Sequence, residues 1–214
     1  MRNQQYTPFN CDHRPMVFVG DTHYNRMVYD NIRTDIPGCQ LVRVEEIESN
    51  SQQWFDDHQF IASGSNVAVK RFLTERIAKF NPKYFSIMGE GNKFDNTKIG
   101  LGVFIENYNT AICNDIVIGD HVTIANYVCL SHHTTINDYC HISCYSFINF
   151  AEVGEGNCIA NRTSIIGKKH NIITTAKDCN FMINSTVTKN INSTGTYFGN
   201  KRMSEQSSVT YDIL

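Results

Sequence analysis

The chain has 214 residues, of which 41% are hydrophobic, so it can bury a core as one large domain or two small ones. A formal net charge of −2 gives no indication that nucleic acid or a membrane surface is a partner. No apolar run approaches the roughly 20 residues that a transmembrane helix needs, and the polar start MRNQQYTPFN lacks the apolar core of a signal peptide. The eight cysteines include no CxxC pair, so we predict reduced thiols in a cytoplasmic protein.

The first half of the chain alternates strand and helix patterns. Apolar runs predict strands at residues 16–19, 41–44, 60–63 and 84–87. Helical patterns lie at residues 24–32 and 67–80, and the second has apolar side chains at helical spacing, at Val69, Phe72, Leu73, Ile77 and Phe80. Strands that alternate with helices predict a small parallel sheet. Ligands of such sheets bind beyond the carboxyl ends of the strands, which here points to Gly20 and Gly64.

The second half has an apolar residue at every sixth position. The series runs through Ile112, Ile118, Ile124, Leu130, Ile136, Ile142 and Ile148, and after a shift of one residue it resumes at Val153, Ile159 and Ile165. A six-residue period is typical of hexapeptide-repeat β-helices, in which three hexads make one triangular coil and each aliphatic side chain points inward. The period indicates a fold and not a reaction, because β-helices also serve as inert rods.

A second rule concerns the position two residues before each inward side chain, where the coil turns a cramped corner. Small residues stand there at Thr110, Thr134, Cys140, Ser146, Ala151 and Thr163. Three larger residues fit this rule less well, namely Ile116, Val122 and Val128.

Four motifs resemble the bacterial nucleotide-sugar acetyltransferases of the sialic-acid O-acetyltransferase type. MVFVGDTHYN, from residue 16, and FIASGSN, from residue 60, resemble the two strand-to-helix loops of that family. SHHTTINDYCHIS, from residue 131, resembles its catalytic coil, and GTYFGNKRM, from residue 195, resembles the end of its β-helix. The resemblance covers nearly the whole chain and implies an α/β part followed by an all-β part. These are a small Rossmann-like nucleotide-sugar-binding domain at residues 1–88, a left-handed parallel β-helix at residues 89–203 and a polar C-terminal tail at residues 204–214.

The resemblance also implies an activity, acetyl-CoA-dependent N-acetylation of a nucleotide-linked amino sugar such as a UDP-4-amino-4,6-dideoxyhexose. Members of the family are homotrimers with active sites between neighbouring β-helices, and no metal is expected. Their general base aligns with His132, and a second histidine, associated with the acetyl donor, aligns with His141. Histidine suits this reaction because its pKa near neutrality lets it take a proton from the amine and pass it to the departing thiolate.

The catalytic coil departs from the family where His133 replaces a glutamate that often orients the base. The predicted catalytic residues are therefore His132 and His133, with the orienting partner unidentified. The predicted acetyl-CoA-binding residues are His141, Phe150, Asn161 and Gly167. A metal site at the three histidines of this coil is disfavoured, because adjacent residues on a strand point to opposite faces.

The predicted acceptor site lies at the two glycine loops. Gly20, Asp21, Thr22 and His23 lead into a helix, whose N-terminus suits a phosphate. Gly64, Ser65 and Asn66 are the better candidate, since glycine allows close backbone approach and a helix start supplies free amides. By the resemblance, Glu45 and Glu46 match acidic residues that contact the nucleoside.

Two alternatives stay open at this point. The first is O-acetylation of a sugar hydroxyl, such as that of a sialic acid. The second is a non-catalytic scaffold that binds nucleotide sugars. The missing glutamate and the aromatic segment CYSFINF, from residue 144, both favour the scaffold, because the family has small residues where this segment lies.

Overall fold

The computed structural model describes residues 6–111 and 115–204, without the side chains of His23 and Tyr24. The predicted inward residue Ile112 and the tail after residue 204 lie outside these ranges. The first elements in chain order are β1 (Tyr6–Phe9), β2 (Met16–Val19), α1 (His23–Ile32), β3 (Gln40–Val42), α2 (Val44–Glu48), α3 (Gln52–Asp57), β4 (Gln59–Ile61), α4 (Val67–Ala78), β5 (Lys83–Tyr84) and β6 (Ser86–Gly89).

A four-stranded parallel sheet organises the N-terminal half, in the order β3-β2-β4-β5. Its two central strands, β2 and β4, are almost completely buried, which explains why they appear as continuous apolar runs in the sequence. On one face, Leu73 and Ile77 of α4 pack in a cluster with Val17 and Phe60 of the sheet. The predicted parallel sheet is thus confirmed, whereas its Rossmann-like character stays a prediction.

Several of the predicted boundaries in this half are wrong, including the end of the third strand, which lies at Ile61 and not at residue 63. The second strand ends at Val42, and Val44 begins α2, since Arg43 takes the extended conformation of a helix N-cap. The predicted fourth strand is divided between β5, which completes the parallel sheet, and β6, which pairs with the β-helix. Helix α4 ends at Ala78, and its Phe72 is exposed instead of joining the buried face.

The remaining strands are short and follow one another around a prism. They are β7 (Lys98–Ile99), β8 (Phe104–Ile105), β9 (Thr110–Ala111), β10 (Val117–Ile118), β11 (Thr123–Ile124), β12 (Cys129–Leu130), β13 (Thr134–Ile136), β14 (His141–Ile142), β15 (Phe147–Asn149), β16 (Ala151–Val153), β17 (Cys158–Ile159), β18 (Ser164–Ile166), β19 (Ile173–Thr174), β20 (Cys179–Phe181), β21 (Thr186–Val187), β22 (Gly195–Phe198) and β23 (Lys201–Arg202).

These strands form three sheets, the sides of the prism. Sheet I has the order β1-β6-β8-β11-β14-β17-β20-β22-β23, sheet II the order β9-β12-β15-β18-β21, and sheet III the order β7-β10-β13-β16-β19. Within the coils the pairing is parallel, and a step from one coil to the next advances the chain by 16 to 22 residues, for example by 18 from Thr123 to His141 and by 22 from Ala151 to Ile173. The predicted parallel β-helix is confirmed; its left-handedness stays a prediction.

The interior of the prism is filled by the inward residues of the six-residue series. Those that the structure describes are at most 1% exposed, and all belong to one cluster. Ile116, Val122 and Val128, which fit the corner rule less well, are buried in the same cluster. The corner therefore accepts branched side chains, because they point into the same core as the inward residues.

Strand pairing and ion pairs join the two halves of the molecule. Strand β1 pairs antiparallel with β6, and β6 pairs parallel with β8, so residues from both ends of the N-terminal half extend sheet I. The predicted boundary after residue 88 falls inside β6. Helix α4 lies against the prism, where Arg71 forms ion pairs with Glu155 at 2.8 Å and with Asp178 at 2.5 Å.

Candidate functional site

His132 and His133 lie at a corner of the prism, where the chain turns from sheet II into sheet III. His133 has a φ of 47°, in the left-handed region. The same conformation recurs three residues before other inward residues, for instance at Tyr127 and Tyr139. This turn leaves both imidazoles exposed. The hexad pattern thus carries the two predicted catalytic residues to the surface.

A carboxylate from the preceding coil contacts His133. Asp115 lies 18 residues earlier, and its Oδ1 accepts a hydrogen bond of 3.3 Å from the backbone N–H of His133. Its Oδ2 is 2.5 Å from Nδ1 of the imidazole. Asp115 is therefore a carboxylate in direct contact with one of the two imidazoles at this corner. One coil advances the chain by about 18 residues, so counting back 18 positions from His133 was a signal that could have found it.

Two of the predicted acetyl-CoA-binding residues lie at the same corner. The ring of Phe150 stacks on His132 at 5.5 Å between centroids and contacts His133 at 5.2 Å. Gly167 occupies the next coil, where a Cβ would come within 2.1 Å of the Phe150 carbonyl oxygen. A glycine is thus required there by backbone packing alone.

The arrangement at this corner suits proton transfer. A carboxylate can only accept hydrogen bonds, so Asp115 fixes the Nδ1 proton of a neutral His133 and leaves Nε2 as the proton acceptor. Within residues 6–111 and 115–204, no group of three or more His, Cys, Asp or Glu side chains is placed to hold a metal ion.

The other two predicted acetyl-CoA-binding residues lie elsewhere. Asn161 is exposed at the corner between sheets I and II. His141 is on the outer face of sheet I, only 5% exposed, with Nε2 3.0 Å from Ser143 Oγ. Burial lowers the pKa of His141 to about 3, and the charge of Lys70 adds to the effect, so this imidazole is neutral. Sheet I is the side of the prism opposite the corner that carries His132.

The two glycine loops lie at the carboxyl ends of β2 and β4, as predicted, but the two glycines differ. Gly20 has a φ of 89°, and a Cβ there would be 2.7 Å from a methyl group of Leu73, so the fold itself requires glycine. At Gly64 the nearest atom to such a Cβ is 3.6 Å away, on Lys70. Packing does not require a glycine at position 64. Close approach of a ligand to the backbone would be another reason for a glycine there.

Two buried polar atoms beside Gly64 have no hydrogen-bond partner in the described part of the chain. They are Ser63 Oγ and Asn25 Oδ1, and both residues are at most 1% exposed. The Asn25 side-chain amide nitrogen donates to the carbonyls of Val19 and Gly20, each at 3.0 Å. Buried polar groups normally find partners, since an unmet one costs about 1–3 kcal/mol. Such atoms at a loop are suited to meet a polar ligand.

Helix α4 begins at Val67, as the sequence predicts, and α1 begins at His23, one residue before its predicted start. Thr22 caps α1 by accepting a hydrogen bond from the Asn25 N–H, and Asn66 caps α4 by accepting one from Val69. Ser65 is half-buried, and the side chain of His23 is outside the description. Both caps use the side-chain oxygen, as is typical of helix starts.

Charged residues surround the Gly20 loop. Asp21 forms an ion pair with Arg26 and lies 3.4 Å from Arg43, and the hydrogen bond from Arg26 lowers the pKa of that carboxyl. No sequence pattern distinguishes either arginine from the other basic residues. Glu45 and Glu46 are exposed in the first turn of α2, where Glu46 accepts a hydrogen bond of 3.3 Å from the Arg43 backbone. Glu46 therefore has a capping contact in addition to any role towards a ligand.

This combination of an α/β half and a parallel β-helix is the fold of bacterial acetyltransferases, so the predicted resemblance is confirmed at the level of fold. The acetyltransferase domain of PglB from Neisseria gonorrhoeae superposes with a TM-score of 0.73 at 14% identity, over 89% of this chain and 99% of that domain. PerB from Caulobacter crescentus, solved with CoA and GDP-perosamine, superposes with a TM-score of 0.73 at 12% identity, over 90% of this chain and 97% of that one. WeeI from Acinetobacter baumannii gives a TM-score of 0.50 at 15% identity, over 89% and 99% of the two chains.

No protein-family model and no curated protein sequence matches the chain. No helix in the described residues is long and apolar enough to cross a membrane.

Proposed function

We propose that this protein is an acetyl-CoA-dependent N-acetyltransferase whose acceptor is a nucleotide-linked amino sugar. The observation that carries the proposal is the pairing of Asp115 with His133 at an exposed corner of the β-helix. A β-helix that served only as a rod would not need a carboxylate-oriented imidazole at its surface. The fold supports the proposal, since PerB was solved with CoA and GDP-perosamine and the PglB domain with acetyl-CoA.

The residues of the corner have different proposed roles in acyl transfer. Acetyl-CoA would supply the acetyl group as a thioester. The Nε2 atom of His133 would take the proton that the attacking amine loses and return it to the departing thiolate, while Asp115 keeps the ring in the required tautomer. The family resemblance gives the same role to His132, and the contact with Asp115 favours His133. Phe150 and Gly167 would lie along the donor.

The acceptor is proposed to bind at the Gly64 loop, with the Gly20 loop beside it, in a Rossmann-like N-terminal domain. A Cβ at Gly64 would make only ordinary van der Waals contacts, the nearest at 3.6 Å, and a glycine at the start of α4 would allow a phosphate to approach the backbone amides. Arg26 and Arg43 add positive charge at the neighbouring loop. Glu45 and Glu46 would accept hydrogen bonds from the nucleoside. A UDP-4-amino-4,6-dideoxyhexose is the proposed acceptor by the resemblance, with GDP sugars as the competing class.

The placement of the two proposed half-sites on opposite sides of the prism supports a homotrimer. On one chain the His133 corner lies opposite sheet I, against which the Gly64 loop packs. A second copy must therefore bring its histidine corner to this loop, and the proposed donor contact of His141 also depends on it. Light scattering tests this directly, and a stable monomer with full activity would contradict the shared site.

The activity test mixes the protein with acetyl-CoA and a panel of UDP-, dTDP- and GDP-linked amino sugars. Free CoA is separated by chromatography, because the eight cysteines of each chain would react with thiol reagents. We expect CoA release that depends on one class of acceptor. Hydroxyl sugars such as sialic acids serve as the comparison for O-acetylation. Tight binding of a nucleotide sugar without any CoA release would favour the non-catalytic scaffold instead.

A further inference from the structure

A completely buried lysine joins the two halves of the molecule. Lys70 is on α4, and its side chain is 0% exposed where the helix meets sheet I. Its Nζ donates to the backbone carbonyl oxygens of His121 and Cys140, each at 2.9 Å. A third hydrogen bond of 3.3 Å reaches Oγ1 of Thr123. An ammonium group has three N–H donors, so all of them are directed at the β-helix.

The contact continues from the β-helix back to the N-terminal half. The hydroxyl of Thr123 donates to the carbonyl oxygen of Gly64 at 3.1 Å. The Lys70 stem also lies 3.6 Å from the position that a Gly64 Cβ would occupy. Lys70, Thr123 and Gly64 thus form one buried hydrogen-bonded chain that holds the loop after β4 against sheet I.

Packing alone does not account for a charged group at this position. Helix α4 is already attached by the ion pairs of Arg71 and by the burial of Leu73. An ammonium buried in this way is costly, and an apolar side chain of similar volume is usually tolerated as well or better. What methionine could not supply is the directed contact with Thr123. The lysine therefore contributes geometry at the Gly64 loop more than it contributes stability.

We infer that Lys70 and Thr123 are positioning residues that hold the Gly64 loop in the conformation that receives the diphosphate of the acceptor. The identity of the ligand rests on the proposed function, whereas the restraint on the loop does not. Neither residue touches the reacting atoms; they act through Gly64, so their loss should weaken acceptor binding and leave donor binding unchanged.

The first measurement is hydrogen exchange of the amides of residues 64–66 in the protein without ligand. Thr123→Val removes only the hydroxyl, and Lys70→Met removes the ammonium at nearly constant volume. The matched controls are Thr174→Val and Lys79→Met, which alter an exposed threonine of the β-helix and an exposed lysine of the helix C-terminus. We expect exchange at least 10-fold faster in both test variants and unchanged exchange in both controls. Unchanged exchange in Thr123→Val would overturn the inference, even if Lys70→Met failed to fold.

The second measurement is calorimetric titration of UDP, dTDP and GDP, and separately of CoA, into the same variants. We expect nucleotide affinity to fall about 10-fold or more in Thr123→Val, with CoA affinity unchanged. Equal losses for nucleotide and CoA would indicate general damage and would overturn the positioning role. If the wild type binds none of the three nucleotides, the proposed acceptor fails, and the exchange result still decides whether Lys70 and Thr123 restrain the loop.

Discussion

Asp115 Oδ2 lies 2.5 Å from Nδ1 of His133, although the two residues are 18 positions apart in the chain. Both occupy the same corner of successive coils, so the spacing of one coil converts a distant pair into direct neighbours. The contact gives His133 a defined orientation at an exposed site. The family resemblance assigns the base to the adjacent residue, His132.

The first prediction concerns this pair. We expect His133→Ala to lower kcat/KM at least 100-fold, since a general base typically contributes about 10²–10⁴-fold. Asp115→Asn should lower it less, because the imidazole stays in place with a weaker orienting partner. The measurement is steady-state CoA release from acetyl-CoA with saturating acceptor. If His132→Ala abolishes activity and His133→Ala retains it, the base is His132 and the role given to Asp115 is wrong.

The second prediction compares the two loop glycines. Gly64→Ala should change the free energy of unfolding by less than about 0.5 kcal/mol, because its Cβ would make only ordinary contacts, the nearest at 3.6 Å. Gly20→Ala should cost more than about 1 kcal/mol, since its φ is 89° and its Cβ would lie 2.7 Å from Leu73. Urea denaturation measures both. Titration of nucleotides should show weaker binding in Gly64→Ala; unchanged binding would remove this loop from the acceptor site.

The third prediction is a loss of stability in mild acid. Burial lowers the pKa of His121 from 6.5 to about 4 and that of His141 from 6.5 to about 3. Below pH 6.5 these two histidines bind protons in the unfolded chain but stay unprotonated in the folded chain. The free energy of unfolding therefore falls as the pH decreases from 6.5 towards 4. Each group contributes a slope of up to about 1.4 kcal/mol per pH unit. Urea denaturation at several pH values tests this, and a variant with both histidines changed to glutamine should show a shallower slope.

The fourth prediction concerns the dependence of stability on pH above 7. Burial lowers the pKa of Lys70 from 10.5 to about 7, which means that the unfolded chain binds the lysine proton more tightly. Stability should therefore rise with pH above about 7, with a slope from this group of up to about 1.4 kcal/mol per pH unit. Between pH 7 and 8.5, Lys70→Met should lack this rise. Equal slopes for wild type and variant would show that the buried amine does not titrate there.

The fifth prediction tests the core of the prism. Ile142→Ala should lower the free energy of unfolding by about 2–5 kcal/mol, since the side chain is 0% exposed and the coils above and below cannot close the cavity. The matched control is Ile166→Ala, whose side chain is 38% exposed on the outer face of β18. We expect the control to lower the free energy of unfolding by less than about 1 kcal/mol. Similar losses at both positions would mean that the six-residue series does not define the core.

The sequence by itself determined the β-helix and its core. Side-chain direction repeats with the hexad, so Ile118, Ile142 and Ile165 identify the interior without any knowledge of distant contacts. The starts of α1 and α4 were equally readable, because a capping side chain such as Asn66 acts within its own turn. These are local properties, and local spacing encodes them. The same spacing could not predict that residues 84–87 divide between two sheets, since that depends on which neighbour each residue meets.

Only the tertiary structure determines which residues contact one another at the candidate site. Asp115 becomes a partner of His133 only when one coil stacks on the next in a single register. Gly20 and Gly64 look alike in sequence, and only the docking of α4 shows that Leu73 requires the first and not the second. Lys70 was unremarkable within an amphipathic helix until that helix was packed on sheet I. Contacts between segments far apart in the chain depend on register and docking, and those are set by the packing of the whole molecule.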